Sequence, residues 1–336
     1  MSVQDSLQRP LRDLRISVTD RCNFRCVYCM PRDVFGPDFA FLPRAEILSF
    51  EEIERLTHIF VDLGVRKLRI TGGEPTVRHE LETLIGMLSA IDGVEDIAMT
   101  TNGVLLPFKA QALKDAGLER ITVSLDAINE STFQTMNGVG FPVSRVLEGI
   151  EAAEDAGLSP IKVNMVVKRG LNDHEVLRMA DHFRHSGHIL RFIEFMDVGT
   201  TNGWRLDDVV PAKEIIDRVH QQWPVELLDP NYTGEVANRY RYTDGGGEIG
   251  VVASVTEPFC RTCTRARLTA DGELFTCLFG AQGRDLKRLL RSGASDAQIK
   301  EELTGIWRRR GDRYSELRTQ ETAELAPKAE MSRLGG

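Results

Sequence analysis

The amino-acid sequence predicts an α/β protein: a partial, TIM-like (β/α)6 barrel over residues 1–200, followed by a smaller α+β module over residues 201–336. Between residues 13 and 197, short β-rich runs alternate with amphipathic helical runs, which is typical of a parallel sheet. There are six such strands rather than the eight of a closed barrel, so we expect an open barrel whose gap another segment covers. After about residue 200, Gly-rich and Asp-Gly turns indicate hairpins.

Each element has its own local signal. The six predicted strands are LRISVT, KLRITGG, DIAMTTNG, RITVSLD, IKVNMVV and ILRFIEFM. Ser49 and Glu52 form a capping box that predicts the start of a helix ending at Gly64. The predicted hairpins are RYTDGGGEIGVV and RLTADGELFTC, and the predicted helical tail contains RDLKRLL and DAQIKEELTGIWRRR.

Charge and hydropathy indicate which partners and which location to expect for the chain. Its formal net charge is -8, whereas proteins that bind nucleic acids or anionic membranes without specificity usually carry a basic excess. The first residues contain no apolar signal segment, and no run of about 18 apolar residues could cross a bilayer. We therefore expect a cytoplasmic protein that binds neither nucleic acid nor membrane and that holds any anionic ligand with a local basic cluster.

The cysteines fall into two groups of three. The first group follows the first strand with the spacing C-x3-C-x2-C, and the second has the spacing C-x2-C-x13-C. The two triplets are Cys22, Cys26 and Cys29, and Cys260, Cys263 and Cys277. The first three lie too close together to bridge distant elements, and a reducing cytosol keeps thiols free, so metal binding is the better interpretation. The first triplet also lies at the carboxyl edge, where α/β barrels build active sites.

The number of cysteines in each triplet favours an iron-sulfur cluster. A structural zinc ion needs a fourth protein ligand, and no histidine is close to either triplet in the sequence. A 4Fe-4S cube held by three cysteines keeps one iron open for a substrate or cofactor. Zinc stays an alternative, above all at the second triplet, where Asp271 or a distant residue could complete the site.

The second strand ends in TGGEPT, residues 71–76. Gly72 and Gly73 would let a ligand approach the backbone, and Glu74 with Pro75 would keep this edge rigid. A Gly-Gly pair before a helix is more often a plain turn. Its place one strand after a C-x3-C-x2-C loop makes the functional interpretation stronger.

Polar residues alternate with apolar ones along four of the predicted strands. The helices need the apolar face, so the polar face must line the barrel. Arg15, Lys67, Arg69 and Lys162 lie on that face, and burying such cations without partners costs several kcal/mol. Solvated edge positions or internal ion pairs are one explanation. We favour a wet cavity that binds a polyanion such as a triphosphate.

The motif CNFRCVYC with the downstream GGEP resembles the radical S-adenosylmethionine (SAM) superfamily. The second triplet, the run CTRARLTADGELFTCLF and the terminal Gly-Gly resemble, within it, the GTP 3′,8-cyclase family of molybdenum cofactor biosynthesis. The resemblance covers essentially the whole chain. It implies two 4Fe-4S clusters, one on each triplet, with SAM at the first and GTP as substrate. In that family SAM is cleaved reductively, the 5′-deoxyadenosyl radical takes hydrogen from C3′ of GTP, and the ribose radical attacks guanine C8.

The resemblance also implies roles for individual residues. The implied SAM contacts are Tyr28, Gly73, Ser124 and Met196. The implied GTP contacts are Arg15, Lys67, Arg69, Thr100, Lys162, Arg265, Ala266 and Arg267. Gly335 and Gly336 are expected to reach into the active site as a tail, although a terminal Gly-Gly is normally a disordered remnant.

Partners follow from the same resemblance. An electron donor is required, and the product is expected to pass to the cyclic pyranopterin monophosphate synthase. The sequence does not fix the oligomeric state, and a homodimer is one option. The alternatives are a peptide-modifying radical SAM enzyme with auxiliary clusters, which usually carries more C-terminal cysteines, and a non-enzymatic metal-binding protein.

Overall fold

A computed structural model describes residues 2–319 and 327–335. Within these residues the strands form one mostly parallel sheet of twelve, in the order β12-β11-β10-β1-β2-β3-β4-β5-β6-β9-β8-β7. The strands are β1 Asp13–Ser17, β2 Lys67–Thr71, β3 Asp96–Thr101, β4 Arg120–Ser124, β5 Ile161–Val167, β6 Ile189–Glu194, β7 Val225–Leu228, β8 Asn238–Tyr242, β9 Glu248–Val252, β10 Arg265–Leu268, β11 Glu273–Phe275 and β12 Arg284–Asp285.

Helices connect the six parallel strands and follow the last hairpin. They are α1 Phe50–Asp62, α2 Leu81–Ser89, α3 Leu106–Asp115, α4 Glu130–Asn137, α5 Ser144–Asp155, α6 Val176–Phe183, α7 Ala212–Gln222, α8 Leu286–Arg291, α9 Asp296–Arg308, α10 Tyr314–Leu317 and a short terminal helix, Met331–Leu334. The predicted capping box is present, because Ser49 accepts from the Glu52 amide at 3.2 Å and donates its own amide to the Glu52 carboxylate at 2.8 Å. The predicted α/β fold is confirmed, and β1 to β6 are the six predicted parallel strands.

The C-terminal strands extend the same sheet at both ends of the β1 to β6 array. β10 pairs parallel with β1, and β9 pairs parallel with β6. The two predicted hairpins, β8–β9 and β10–β11, are antiparallel. The strands after residue 200 therefore add to the barrel wall, and the boundary at residue 200 stays a prediction.

Apolar and polar residues alternate along the strands, so that one face of the sheet contributes to the core and the other faces the cavity. Leu14, Ile16, Leu68 and Ile70 are buried in the apolar core beneath the helices. Their neighbours on the opposite face are polar, and Arg15, Lys67 and Arg69 among them are only half-buried. Because the helices cover one face, the polar face must line the inside of the barrel.

The segment 31–48 after the first triplet links the two halves of the chain. Arg25, in the cysteine loop, donates to the carbonyl of Phe35 at 2.7 Å. At the other end of the segment, the Leu48 amide donates to the carbonyl of Ala270 at 2.8 Å. The segment is therefore a connector between the first cysteine loop and the β10–β11 hairpin.

No helix in the described residues is long and apolar enough to cross a membrane.

Candidate active site

The first triplet lies in the loop that leaves the carboxyl end of β1. All six cysteines of the chain are free thiols. Burial raises the pKa of the three loop thiols, to about 12 at Cys22, and Asp126 and the two other thiols add to the shift at Cys26. Thiolates are therefore unfavourable here in the protein alone, and an iron centre would supply the positive charge that stabilises them. The donor set fits a cluster.

The GGEP motif packs directly against this loop. A Cβ atom on Gly73 would lie 2.3 Å from the carbonyl oxygen of Arg21, so only glycine fits. The Gly73 amide donates to Thr19 at 2.7 Å, and the Glu74 amide donates to Arg21 at 2.8 Å. The sequence predicts that these glycines let a ligand approach the backbone. In the structure, a Cβ on Gly73 would meet the protein's own backbone, and the approach of a ligand to these glycines stays a prediction.

The buried carboxylate of Glu74 joins the ends of β2 and β3 and, through Asn102, the cysteine loop. It accepts from the hydroxyls of Thr76 and Thr101, both at 2.6 Å, and from the Asn102 amide at 2.7 Å. The side chain of Asn102 in turn donates to Asn23 in the cysteine loop at 2.7 Å. Hydrogen bonds to a buried carboxylate fix the loop relative to the ends of β2 and β3.

The four predicted SAM residues all lie at the carboxyl edge of the sheet. Gly73 follows β2, Ser124 ends β4 and Met196 follows β6. The Tyr28 hydroxyl donates to Asp126 at 2.8 Å, which holds the cysteine loop against the end of β4. Burial raises the pKa of Asp126 to about 6.

The second triplet lines a large cavity inside the barrel. The guanidinium of Arg310 donates to the sulfur of Cys263 at 3.1 Å. Burial alone would raise the pKa of Cys263, but the positive charges of Arg265 and Arg310 lower it to about 7. Burial raises the pKa of Cys277 to about 11. Cys263 therefore ionises more readily than Cys277, and the thiolate is the form that binds a metal.

Neither triplet is arranged around a single metal ion. Across residues 2–319 and 327–335, no group of three or more His, Cys, Asp or Glu side chains could hold one ion. Asp271, the suggested fourth zinc ligand, instead accepts from Thr269 at 2.6 Å and from Arg333 at 2.8 Å. Three cysteines without a fourth ligand fit a cluster with one open iron.

The same cavity gathers a large number of positive charges. Strand register explains this, because Arg15 on β1 is paired with Arg267 on β10 and Arg69 on β2. The cations lining the cavity are Arg9, Arg15, Lys67, Arg69, Arg120, Lys162, Arg191, Arg265, Arg267 and Arg310. The carboxylates lining it are Asp13, Asp96, Glu235 and Asp312. Positive charge is therefore in excess.

The titration behaviour of these cations reflects that excess. Burial, followed by Arg191, Arg120 and Arg69, lowers the pKa of Lys162 to about 8. Burial is also the main cause that lowers the pKa of Arg191 to about 9 and that of Arg15 well below its usual value. Each of these cations makes the protonated form of its neighbours less stable, and a bound polyanion would stabilise the protonated forms of all of them.

Most of the predicted GTP residues meet in this cavity. Those lining it are Arg15, Lys67, Arg69, Thr100, Lys162, Arg265 and Arg267. Arg69 donates to the hydroxyl of Thr100 at 3.3 Å. The side chain of Ala266 points to the opposite face and is fully buried in the apolar core, which leaves only its backbone for a ligand.

Sequence reasoning missed several cavity residues, among them Arg120, Arg191 and Tyr232. The two arginines lie on β4 and β6, and extending the polar alternation along those strands would have found them. Tyr232 lies in the loop between β7 and β8, and its ring is 3.7 Å from the ammonium of Lys67. No sequence pattern marks that loop.

The tail reaches the carboxyl edge at Gly335. Its carbonyl accepts from the buried guanidinium of Arg267 at 2.7 Å. Its φ is +71°, and a Cβ atom there would lie 2.2 Å from the side chain of Thr71. Leu334, just before it, is fully buried. Gly336 lies outside the described residues.

Comparison with known proteins places this site in a family. Residues 16–183 match the model of the radical SAM superfamily, and residues 188–316 match the Molybdenum Cofactor Synthesis C model. A GTP 3′,8-cyclase of Acidothermus cellulolyticus is 56% identical, covering 99% of this chain and 94% of the relative. One of Xanthomonas axonopodis pv. citri is 51% identical, covering 99% of each. The chain therefore belongs to the radical SAM superfamily and, within it, to the family of the GTP 3′,8-cyclases.

Solved structures support the fold alone. Streptococcus suis SuiB bound to S-adenosylmethionine matches with a TM-score of 0.62 over 89% of this chain and 68% of that chain. SuiB bound to the precursor peptide SuiA matches with a TM-score of 0.60, again over 89% of this chain, and over 64% of that chain. Both are 14% identical in sequence.

Proposed function

We propose that the chain is a SAM-dependent GTP 3′,8-cyclase, a lyase that converts GTP to (8S)-3′,8-cyclo-7,8-dihydroguanosine 5′-triphosphate. This is the first step of molybdenum cofactor biosynthesis. The observation that carries the proposal is the shared cavity of the second cysteine triplet and ten cationic side chains. A nucleoside triphosphate matches both features. Its phosphates would bind the cations, and the nitrogen and oxygen atoms of its base could bind an open iron.

The first triplet would hold one 4Fe-4S cluster, which together with SAM supplies the 5′-deoxyadenosyl radical. Tyr28, Gly73, Ser124 and Met196 would hold SAM at the carboxyl edge. Tyr28 is fixed by its hydrogen bond to Asp126, and Met196 also lines the barrel cavity. The residues at this edge would thus keep SAM close to the substrate and away from bulk water.

The barrel interior would orient GTP. Arg15, Lys67, Arg69 and Lys162 would contact the phosphates, because they are the cations on the polar face of β1, β2 and β5. Nearer the second triplet, Arg265, Arg267 and the backbone of Ala266 would contact the nucleoside, with Thr100 as a further hydrogen-bonding group. The triplet Cys260, Cys263 and Cys277 would hold the second cluster, whose open iron would be available to a ligand atom of the guanine.

Gly335 and Gly336 would act as a tail that completes the reactive arrangement. The contact from Arg267 to Gly335 supports this role, because it brings the chain end to a residue of the proposed GTP site.

Other partners remain proposals. Radical formation requires a one-electron donor, and the cyclised product would pass to the cyclic pyranopterin monophosphate synthase. We place the enzyme in the cytoplasm, where thiols stay reduced and GTP is present. A homodimer stays a prediction.

Anaerobic reconstitution followed by product analysis tests the proposal. Two clusters should give about eight irons per chain, since each triplet can hold one cube. With SAM, dithionite and GTP, we expect 5′-deoxyadenosine and cyclised product in equal amounts, and SAM cleavage should be faster with GTP than with ATP. Stoichiometric zinc without iron-sulfur absorbance would contradict the proposal. A precursor peptide that accelerates SAM cleavage where GTP does not would favour the peptide-modifying alternative.

A further inference from the structure

We propose that Arg310 is a positioning residue for the second cluster, which orients Cys263 and raises the reduction potential of the cluster bound there. The inference rests on the proposed ligand set Cys260, Cys263 and Cys277. It concerns a side chain that lies outside the barrel strands, just after the end of α9.

One buried guanidinium contacts both arms of the triplet. The side chain of Arg310 is 1% exposed. It donates to the Cys263 carbonyl at 2.8 Å and to the Cys263 sulfur at 3.1 Å. It also donates to the carbonyl of Thr276, next to Cys277, at 3.1 Å. Arg310 therefore fixes the distance between the two chain segments that carry these cysteines.

A second arginine holds the remaining cysteine. Arg9 donates to the carbonyl of Cys260 at 2.7 Å. The fully buried carboxylate of Asp5 lies 2.6 Å from Arg9 and 3.1 Å from Arg310, so it bridges the two guanidinium groups. The indole of Trp307 donates to the Arg9 carbonyl at 3.1 Å, and its ring lies 4.5 Å from the Arg310 guanidinium. The N-terminal segment and α9 thus frame the triplet together.

The contact to sulfur distinguishes Arg310 from an ordinary buried ion pair. A neutral thiol is a weak acceptor, whereas a metal-bound thiolate is a strong one, so the donor suits the ligated form of Cys263. In the described part of the chain, the first triplet has no such cationic donor. Among these residues, the one backbone hydrogen bond to a sulfur of the first triplet is donated by the Phe24 amide to Cys22 at 3.3 Å.

The expected consequence is electrostatic. Reduction adds one negative charge to a cluster, and both a hydrogen bond to a ligand sulfur and a nearby cation stabilise that charge. Arg310 should therefore raise the potential of the second cluster. Asp5, whose charge lies beside Arg310, should lower it.

The experiment measures the second cluster by itself in the full-length chain. In a background where Cys22, Cys26 and Cys29 are all alanine, midpoint potentials are followed by EPR during a redox titration. We expect Arg310→Met to shift the midpoint to a more negative value and Asp5→Asn to shift it to a more positive one. Arg310→Lys keeps the charge and should retain a midpoint nearer that of the parent. Arg308→Met, which removes an exposed charge at the end of α9, is the control and should cause no shift.

The outcomes separate the possible failures. A parent chain without iron at the second triplet would refute the proposed ligand set rather than the role of Arg310. Unchanged midpoints in Arg310→Met and Asp5→Asn, or shifts of the same sign in both, would overturn the role of Arg310. If Arg310→Met cannot retain the cluster, a more positive midpoint in Asp5→Asn together with a parent-like or slightly more negative midpoint in Arg310→Lys supports the role. An unchanged or more negative midpoint in Asp5→Asn, or a more positive one in Arg310→Lys, overturns it.

Discussion

The two cysteine triplets have similar patterns but differ in the charges that surround them. Around the first, burial and nearby carboxylates raise the thiol pKa values, with Asp126 close to Cys26. Around the second, Arg265 and Arg310 lower the pKa of Cys263 to about 7 in spite of its burial. The first is a loop fastened to the sheet edge, and the second lines a cavity with an excess of positive charge. We infer that the surroundings, more than the cysteine spacing, distinguish the two centres, the first proposed for radical formation and the second for binding an anionic substrate.

Removing one ligand from each triplet should give the largest difference. Cys26→Ala should abolish SAM cleavage, because the first cluster would lose one of its three ligands. Cys263→Ala should leave slow SAM cleavage without cyclised product. HPLC of 5′-deoxyadenosine and product measures both. Equal loss of SAM cleavage in the two variants would contradict separate roles.

Gly73→Ala should disrupt the first region alone. The added Cβ would collide with the Arg21 carbonyl at 2.3 Å, which displaces the cysteine loop. We expect about half of the iron to be lost, since two clusters share it equally, and SAM cleavage to fall with it. Gly86→Ala is the matched control, because its Cβ would meet nothing within 4 Å. Normal iron content in Gly73→Ala would show that the loop tolerates the shift.

The tail connects the two regions, and Gly335→Ala tests that connection. A side chain there would collide with Thr71 and would have to adopt a φ of +71°. We expect iron content and GTP affinity close to the unmodified protein, with cyclised product nearly absent. Deleting Gly335 and Gly336 should have the same effect. Product formation at the full rate in either variant would show that the tail is only a remnant.

Charge removal in the cavity should weaken substrate binding and leave the first region intact. Arg69→Ala or Lys162→Ala should each cost about 1.5 to 3 kcal/mol, or roughly 10- to 150-fold in GTP affinity, by losing a charge-assisted contact. SAM cleavage without GTP should change little. Lys213→Ala, on an exposed face of α7, is the control for loss of charge. Unaltered GTP affinity in both cavity variants would disprove the polyanion site.

The smallest expected effect is on pH dependence. Lys162 has a pKa of about 8 in the free protein, and bound phosphate would favour its protonated form and raise that pKa. Below about pH 8 the lysine is protonated in both states, so its contribution is complete. Above it, GTP binding requires proton uptake, and affinity should fall a few-fold by pH 9. Lys162→Arg should flatten this fall, since a guanidinium keeps its charge to higher pH. Identical pH profiles would exclude Lys162 as the titrating group.

Local patterns predicted much of this molecule. The strands β1 to β6 and both hairpins follow from alternation and turn chemistry, and the polar faces led to Arg15, Lys67, Arg69 and Lys162. The pairing of β10 with β1 could not be predicted, because no local signal specifies register between distant segments. Arg310 was missed for a similar reason, since its partners come from three separate parts of the chain.

The position of β1 between β2 and β10 has a consequence for biosynthesis. β2 follows soon after β1, but Thr264, which bonds to Asp13 and precedes β10, is synthesised 251 residues later. During translation, the edge of β1 that pairs with β10 therefore stays unpaired until β10 has been synthesised, and an unpaired strand edge is prone to pair with a wrong strand. The neighbours of the first triplet, such as Glu74 and Asn102, emerge early. We expect the first cluster site to form before the second, and thiol labelling of chains stalled before and after residue 277 would reveal that order.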